Sequence, residues 1–160
     1  MKRKILIIGL VVVAMTLVMP VQAGILEQLF WDNVFDDTGD RTIDVSALKA
    51  FPDYPDAPID WLDLDPAVGF ATDRAQGDDY GSLIRGYFVG PVDGSVTIVV
   101  ASDDASELWL SADENPVNLQ LIAFETNFSN NLFGGARLDE RSAKVEMVRG
   151  GIYYFELIHK

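Results

Sequence analysis

The run Ser95-Val96-Thr97-Ile98-Val99-Val100-Ala101 constrains the fold more than any other part of the chain. Its β-branched residues are stiff at χ1, which costs them in a helix and suits them to a pleated sheet. It belongs to a series. Residues 25–31, 82–89, 107–111, 117–124, 143–148 and 152–158 also read as short strands. Pro91-Val92-Asp93-Gly94 and Arg149-Gly150-Gly151 punctuate them as turns. Many short strands, little helix and no βαβ alternation predict an all-β chain, an antiparallel β-sandwich or barrel.

One short helix is expected over Asp44-Val45-Ser46-Ala47-Leu48-Lys49. Asp44 has the character of an N-cap, and Phe51-Pro52 ends the segment. Residues 52–81 carry Pro52, Pro55, Pro58 and Pro66 with many aspartates. They read as a long Pro/Asp-rich loop, and Trp61, Phe70 and Tyr80 favour an ordered one because such rings pack on a core.

The first residues carry a different message. Met1-Lys2-Arg3-Lys4 is basic, residues 5–19 are nearly all apolar, Pro20 stops the run, and Val21-Gln22-Ala23 resembles a cleavage site. This is the pattern of a signal peptide over residues 1–23. The apolar run is short for a membrane anchor. The mature chain would be a single domain over residues 24–160, secreted, periplasmic or at the cell surface, with no insertion into the membrane. Cleavage would take the net charge from −13 to −16. That balance argues against nucleic acid, whose phosphates require Lys and Arg. It also opposes adsorption to an anionic membrane.

The chain has no cysteine and a single histidine, His159. Thiol catalysis, zinc–thiolate sites and multi-histidine metal sites are therefore excluded or disfavoured. An exported chain without disulfides must rely on its core or on bound ions.

The chemistry concentrates in Ser102-Asp103-Asp104-Ala105-Ser106, a loop between two expected strands. Adjacent carboxylates repel unless a cation or a set of backbone donors offsets the charge. Asp103 and Asp104 are thus either a hard-cation site or a demanding structural turn. Asp36-Asp37 and Asp78-Asp79 are further acidic pairs, and such pairs are usually solvated. Trp31, Trp61 and Trp109 read as packing residues, with sugar stacking the sharper alternative for Trp109. Arg85 is expected to pair with a buried carboxylate beneath its strand. Asn127-Phe128-Ser129 fits a glycosylation acceptor. Nothing marks out an enzyme, since glycosidase carboxylates must stand well apart across a sugar.

Taken in order, several segments resemble the protective antigen domain family, named after a component of anthrax toxin. They are Leu26-Glu27-Gln28-Leu29-Phe30-Trp31, Asp44-Val45-Ser46-Ala47-Leu48, Phe51-Pro52-Asp53-Tyr54-Pro55-Asp56, Tyr80-Gly81-Ser82-Leu83-Ile84-Arg85-Gly86-Tyr87, residues 101–110 and Tyr153-Tyr154-Phe155-Glu156-Leu157-Ile158-His159-Lys160. The resemblance implies a lectin-like β-sandwich. In carbohydrate-binding relatives the paired aspartates coordinate Ca²⁺, sometimes across a cis peptide, and the ion binds sugar hydroxyls. The corresponding metal ligands here are Asp103 and Asp104. Family members continue past the position of Lys160 into a glycine-rich loop and another strand. The expectation is therefore either a fragment of a longer sequence or a domain that lacks its last strand, with a sheet edge open to a protein partner or to the missing strand.

The function expected from these readings is an exported, non-enzymatic carbohydrate-binding module for glycan recognition or adhesion, with a glycan or polysaccharide as partner and Ca²⁺ as candidate cofactor. A structural or protein-interaction sandwich of a larger secreted protein is the alternative, as is an accessory domain of a glycosidase.

Overall fold

The computed structural model describes residues 26–34, 45–58, 60–63, 79–126 and 138–160. The strands are β1 (Leu26–Asp32), β2 (Asp60–Asp63), β3 (Tyr80–Val89), β4 (Gly94–Val99), β5 (Ser106–Leu110), β6 (Gln120–Glu125), β7 (Ser142–Met147) and β8 (Ile152–His159). Two short helices accompany them, α1 (Ser46–Lys49) and α2 (Leu138–Arg141), with a 3-10 turn at Pro116–Asn118.

Six strands form one sheet in the order β2-β1-β3-β8-β5-β6, and β4 pairs with β7 in a second. Every pairing is antiparallel. Apolar side chains from both sheets meet in a shared core, so the fold is an all-β sandwich. Ile84, Phe88, Leu108, Phe155 and Leu157 of the large sheet face Val96, Ile98 and Met147 of the small one. The period-two alternation of β5 places Leu108 and Leu110 in this core while Glu107 and Trp109 lie half-buried on the opposite face.

A second core covers part of that opposite face. Leu29, Trp31, Leu83 and Ile158 pack beneath Val45, Ala47 and Leu48, with Phe51, Tyr54 and Trp109 at its margin. A four-residue helix such as α1 has no stability of its own; Ala47 and Leu48 hold it by docking. Gly81 makes room for this, since a Cβ there would lie 2.6 Å from Leu48 Cδ1. Trp31 is fully buried. Its ring centroid lies 5.1 Å from that of Tyr54, and its Nε1–H donates to the Asp53 carbonyl at 3.3 Å. It is the packing residue the sequence suggested.

The structure departs from the sequence reading at four places. The Pro/Asp-rich stretch is not all loop, because β2 lies within it and pairs with β1. The strand expected from residue 117 begins at Gln120; before it, Pro116 starts a 3-10 turn capped by the Asn115 side chain, which accepts from the Val117 amide at 3.0 Å. A second short helix, α2, precedes β7. Finally, Arg85 pairs with Glu27 on the neighbouring strand, and both side chains are about a third exposed, because the half of the sheet bearing them is not covered by α1. Among the described residues, the arginine out of water is Arg141, 1% exposed.

The signal-peptide residues 1–23, Asp36-Asp37, Asp44, Phe70, Asp78, the Trp61 side chain and Asn127-Phe128-Ser129 lie outside the described residues. Among the described residues, no helix is long and apolar enough to cross a membrane.

Candidate functional site

Antiparallel pairing brings five strand ends together at one end of the large sheet. β1 ends at Asp32 opposite the start of β3 at Tyr80. β8 ends at His159, which stands in register with Ser82 on one side and with Ser106, the start of β5, on the other. Ser106 in turn faces Glu125 at the end of β6. The chain leaving β4 crosses this end as residues 100–105 before entering β5. The acidic pair therefore lies on a loop laid against the end of β8.

Backbone bonds tie the loop down. The amides of Asp104 and Ala105 donate to the Lys160 carbonyl at 3.2 and 3.1 Å, and the Lys160 amide donates to the Ala105 carbonyl at 3.0 Å. Side chains add to them. Ser102 Oγ lies 2.8 Å from the Asp104 carbonyl and 2.8 Å from Ser106 Oγ. His159 Nε2 lies 3.0 Å from the Asp103 carbonyl oxygen. The Asp103–Asp104 peptide is cis, as is Tyr54–Pro55. Both aspartates are partly exposed, whereas Ala101, Ser102, Ala105 and Ser106 on either side are buried.

The floor of the loop is buried. His159 is 1% exposed, and its ring centroid is 5.4 Å from that of Tyr80. Burial pushes the His159 pKa down from 6.5 to about 4, against the opposing pull of the Asp103 carbonyl and the Asp104 charge. Burial, and then the negative charge of Asp103, push the Tyr80 hydroxyl up to about 12. Next to His159 the sheet interior is polar. Ser82 and Gln28 are fully buried, and Ser82 Oγ, both Gln28 amide atoms and His159 Nδ1 have no hydrogen-bond partner among the described residues.

As a cation site the loop fits in kind and falls short in number. Two carboxylates are hard oxygen donors suited to Ca²⁺, which takes roughly six to eight oxygens. The Asp103 and Asp104 carbonyls already serve His159 and Ser102. Among the described residues, no group of three or more His, Cys, Asp or Glu side chains is placed to hold a metal. Any ion here would need water or ligand oxygens to complete its shell.

Trp109 sits apart from this loop. Its ring carries Lys49 Nζ at 5.1 Å from the centroid, and its Nε1–H donates to Glu107 Oε2 at 2.7 Å. It is half-buried against the second core, the packing role weighed from sequence. The residues that sequence reasoning passed over are His159 and Tyr80. His159 was used only to exclude multi-histidine chemistry, and its place under the loop follows from strand register, which leaves no local signature.

No family model matches the chain. It is similar to the N-acetyl-beta-glucosaminyl-glycoprotein 4-beta-N-acetylgalactosaminyltransferase 1 of Mus musculus, 38% identical over 86 residues. The match takes in 51% of this chain and 8% of that protein's length. The similarity therefore connects part of this chain to a small part of a carbohydrate-related protein.

Proposed function

We propose that this chain is an exported, non-enzymatic carbohydrate-binding module of the protective antigen type, in which Asp103 and Asp104 hold Ca²⁺ for contact with sugar hydroxyls. The observation that carries the reading is the build of the loop. Two adjacent, partly exposed aspartates stand at the end of a sandwich, on a backbone bonded inward to Lys160, Ser102 and His159. Such a loop presents carboxylates from a rigid base, which is what a weakly furnished ion site requires. The partial similarity to a protein acting on glycoproteins supports a glycan as the partner.

A glycan array probed with the wild-type protein, in calcium and in chelator, tests this directly. Binding that needs calcium and disappears in the double variant Asp103→Ala, Asp104→Ala is the expected result. Calcium-independent binding that survives both substitutions would remove the two aspartates from the mechanism.

A second reading is a protein-interaction sandwich with no glycan ligand. It is favoured by the absence of a third acidic or histidine ligand among the described residues. A blank array together with no heat on calcium titration would select it.

A further inference from the structure

We propose that His159 is a positioning residue for the acidic loop: its Nε2–H holds the Asp103 carbonyl and thereby fixes the backbone from which both carboxylates project. The proposal rests on the calcium reading only for its functional consequence. The positioning itself follows from the fold.

A carbonyl oxygen only accepts, so the 3.0 Å contact requires the proton on Nε2. Nδ1 is then the bare nitrogen. It is buried with no partner among the described residues, and none of these competes for the proton or stabilises the other tautomer. The neighbouring Tyr80 ring, 5.4 Å away between centroids, limits rotation of the imidazole.

The identity of the residue is what makes the contact. The bonds from Lys160 to Asp104 and Ala105 are backbone bonds, and almost any residue at 160 would form them. The bond to Asp103 exists only because position 159 carries a donor side chain. The preceding positions of β8 on the same face, Tyr153, Phe155 and Leu157, line the core. An apolar residue at 159 would continue that pattern without burying a polar ring. A histidine there costs desolvation, and the Asp103 carbonyl is the group it serves in return.

Two substitutions separate the donor from the volume. His159→Gln keeps an amide N–H near the reach of Nε2, and His159→Phe fills the space without a donor. Three measurements on the full chain decide. In amide hydrogen exchange by NMR, Asp104 and Ala105 should exchange about tenfold faster in His159→Phe than in wild type, the effect of losing one buried hydrogen bond, with His159→Gln close to wild type. In calorimetric titration, Ca²⁺ affinity should fall about tenfold in His159→Phe and recover in His159→Gln, since a loosened loop must be reordered on binding. In ¹⁵N spectra of the wild-type imidazole at neutral pH, the Nε2–H tautomer should be found.

Equal exchange in wild type and His159→Phe, or an Nδ1–H tautomer, would overturn the proposal. If wild type takes up no Ca²⁺, the calcium reading fails while exchange and tautomer still decide the role of His159. If His159→Phe does not fold, the glutamine variant and the wild-type tautomer carry the decision.

Discussion

Arg141 Nε lies 3.1 Å from Glu125 Oε2, with 1% of one side chain and none of the other exposed. Arg141 ends α2 and Glu125 ends β6, so the pair joins these two elements. Arg141 also donates from Nη1 to the Val100 carbonyl at 3.3 Å, and its own carbonyl accepts from the Val100 amide at 2.9 Å. Glu125 Oε1 accepts from the Thr126 amide at 3.0 Å. Removing one partner leaves an uncompensated charge out of water.

Arg141→Met or Glu125→Gln alone should each lower stability by about 3–5 kcal/mol, and the double replacement should cost less than the two added together. Urea unfolding of the four proteins measures this. Additive losses would mean that the two side chains act independently.

Acid should weaken the fold through His159. Its folded pKa, about 4, lies below the ordinary 6.5. Above that ordinary value the ring is neutral in both folded and unfolded chains, and pH has no leverage through it. As pH falls from there toward 4, the unfolded chain takes a proton that the folded one refuses. Stability should fall by about 3 kcal/mol across this window and level off below it. His159→Gln should lack this component, so the difference between its melting curve and that of wild type should shrink or reverse across the same pH range. A difference independent of pH would contradict the burial argument.

Two glycines should respond differently to a methyl group. At Gly90 a Cβ would lie 2.2 Å from the Val148 carbonyl oxygen, a backbone atom. That backbone is fixed by the Gly90–Gly151 and Gly150–Gly90 bonds, both 2.8 Å. At Gly81 the nearest atom is the end of the Leu48 side chain, 2.6 Å away, which can shift. Gly90→Ala should therefore cost more than Gly81→Ala, with about 1–3 kcal/mol for the latter. Chemical denaturation of the two variants ranks them.

Trp31→Ala should cost about 3–5 kcal/mol, because it opens a cavity under α1 and removes the Nε1–H bond to Asp53. The local consequence is testable separately. Amides of Ala50 and Phe51, which bond to Ser46 and Leu48, should lose protection ahead of those in β8. Uniform loss across the sheet would mean that α1 is not a separately melting layer.

Much of the architecture was legible because side-chain pattern and backbone role coincide. Val96 and Ile98 are β-branched, alternate with polar residues, and face the core as such a run requires. β2 was hidden because four residues flanked by prolines and aspartates carry no periodicity long enough to read. The 3-10 turn had a signal, Asn115-Pro116, whose Val117 and Leu119 neighbours made it resemble a strand. Asp103 and Asp104 were recognisable as a loop by their position between strands. Their support was not, since His159 is 56 residues away from Asp103 in sequence and reaches it only through the pairing of β8 with β5.

The strand order carries a consequence for how the molecule is made. β8 follows every other strand of the large sheet in sequence, yet it lies between β3 and β5. Until it arrives, β2-β1-β3 and β5-β6 are two separate ribbons, each with an inner edge of unpaired amides and carbonyls. A growing chain carries both edges exposed from the completion of β6 at Glu125 until β8 is made from Ile152 onward, a state open to chaperones and to misassociation with other copies. Closure is a late, long-range event that joins the two halves, and the acidic loop acquires its footing in the same step.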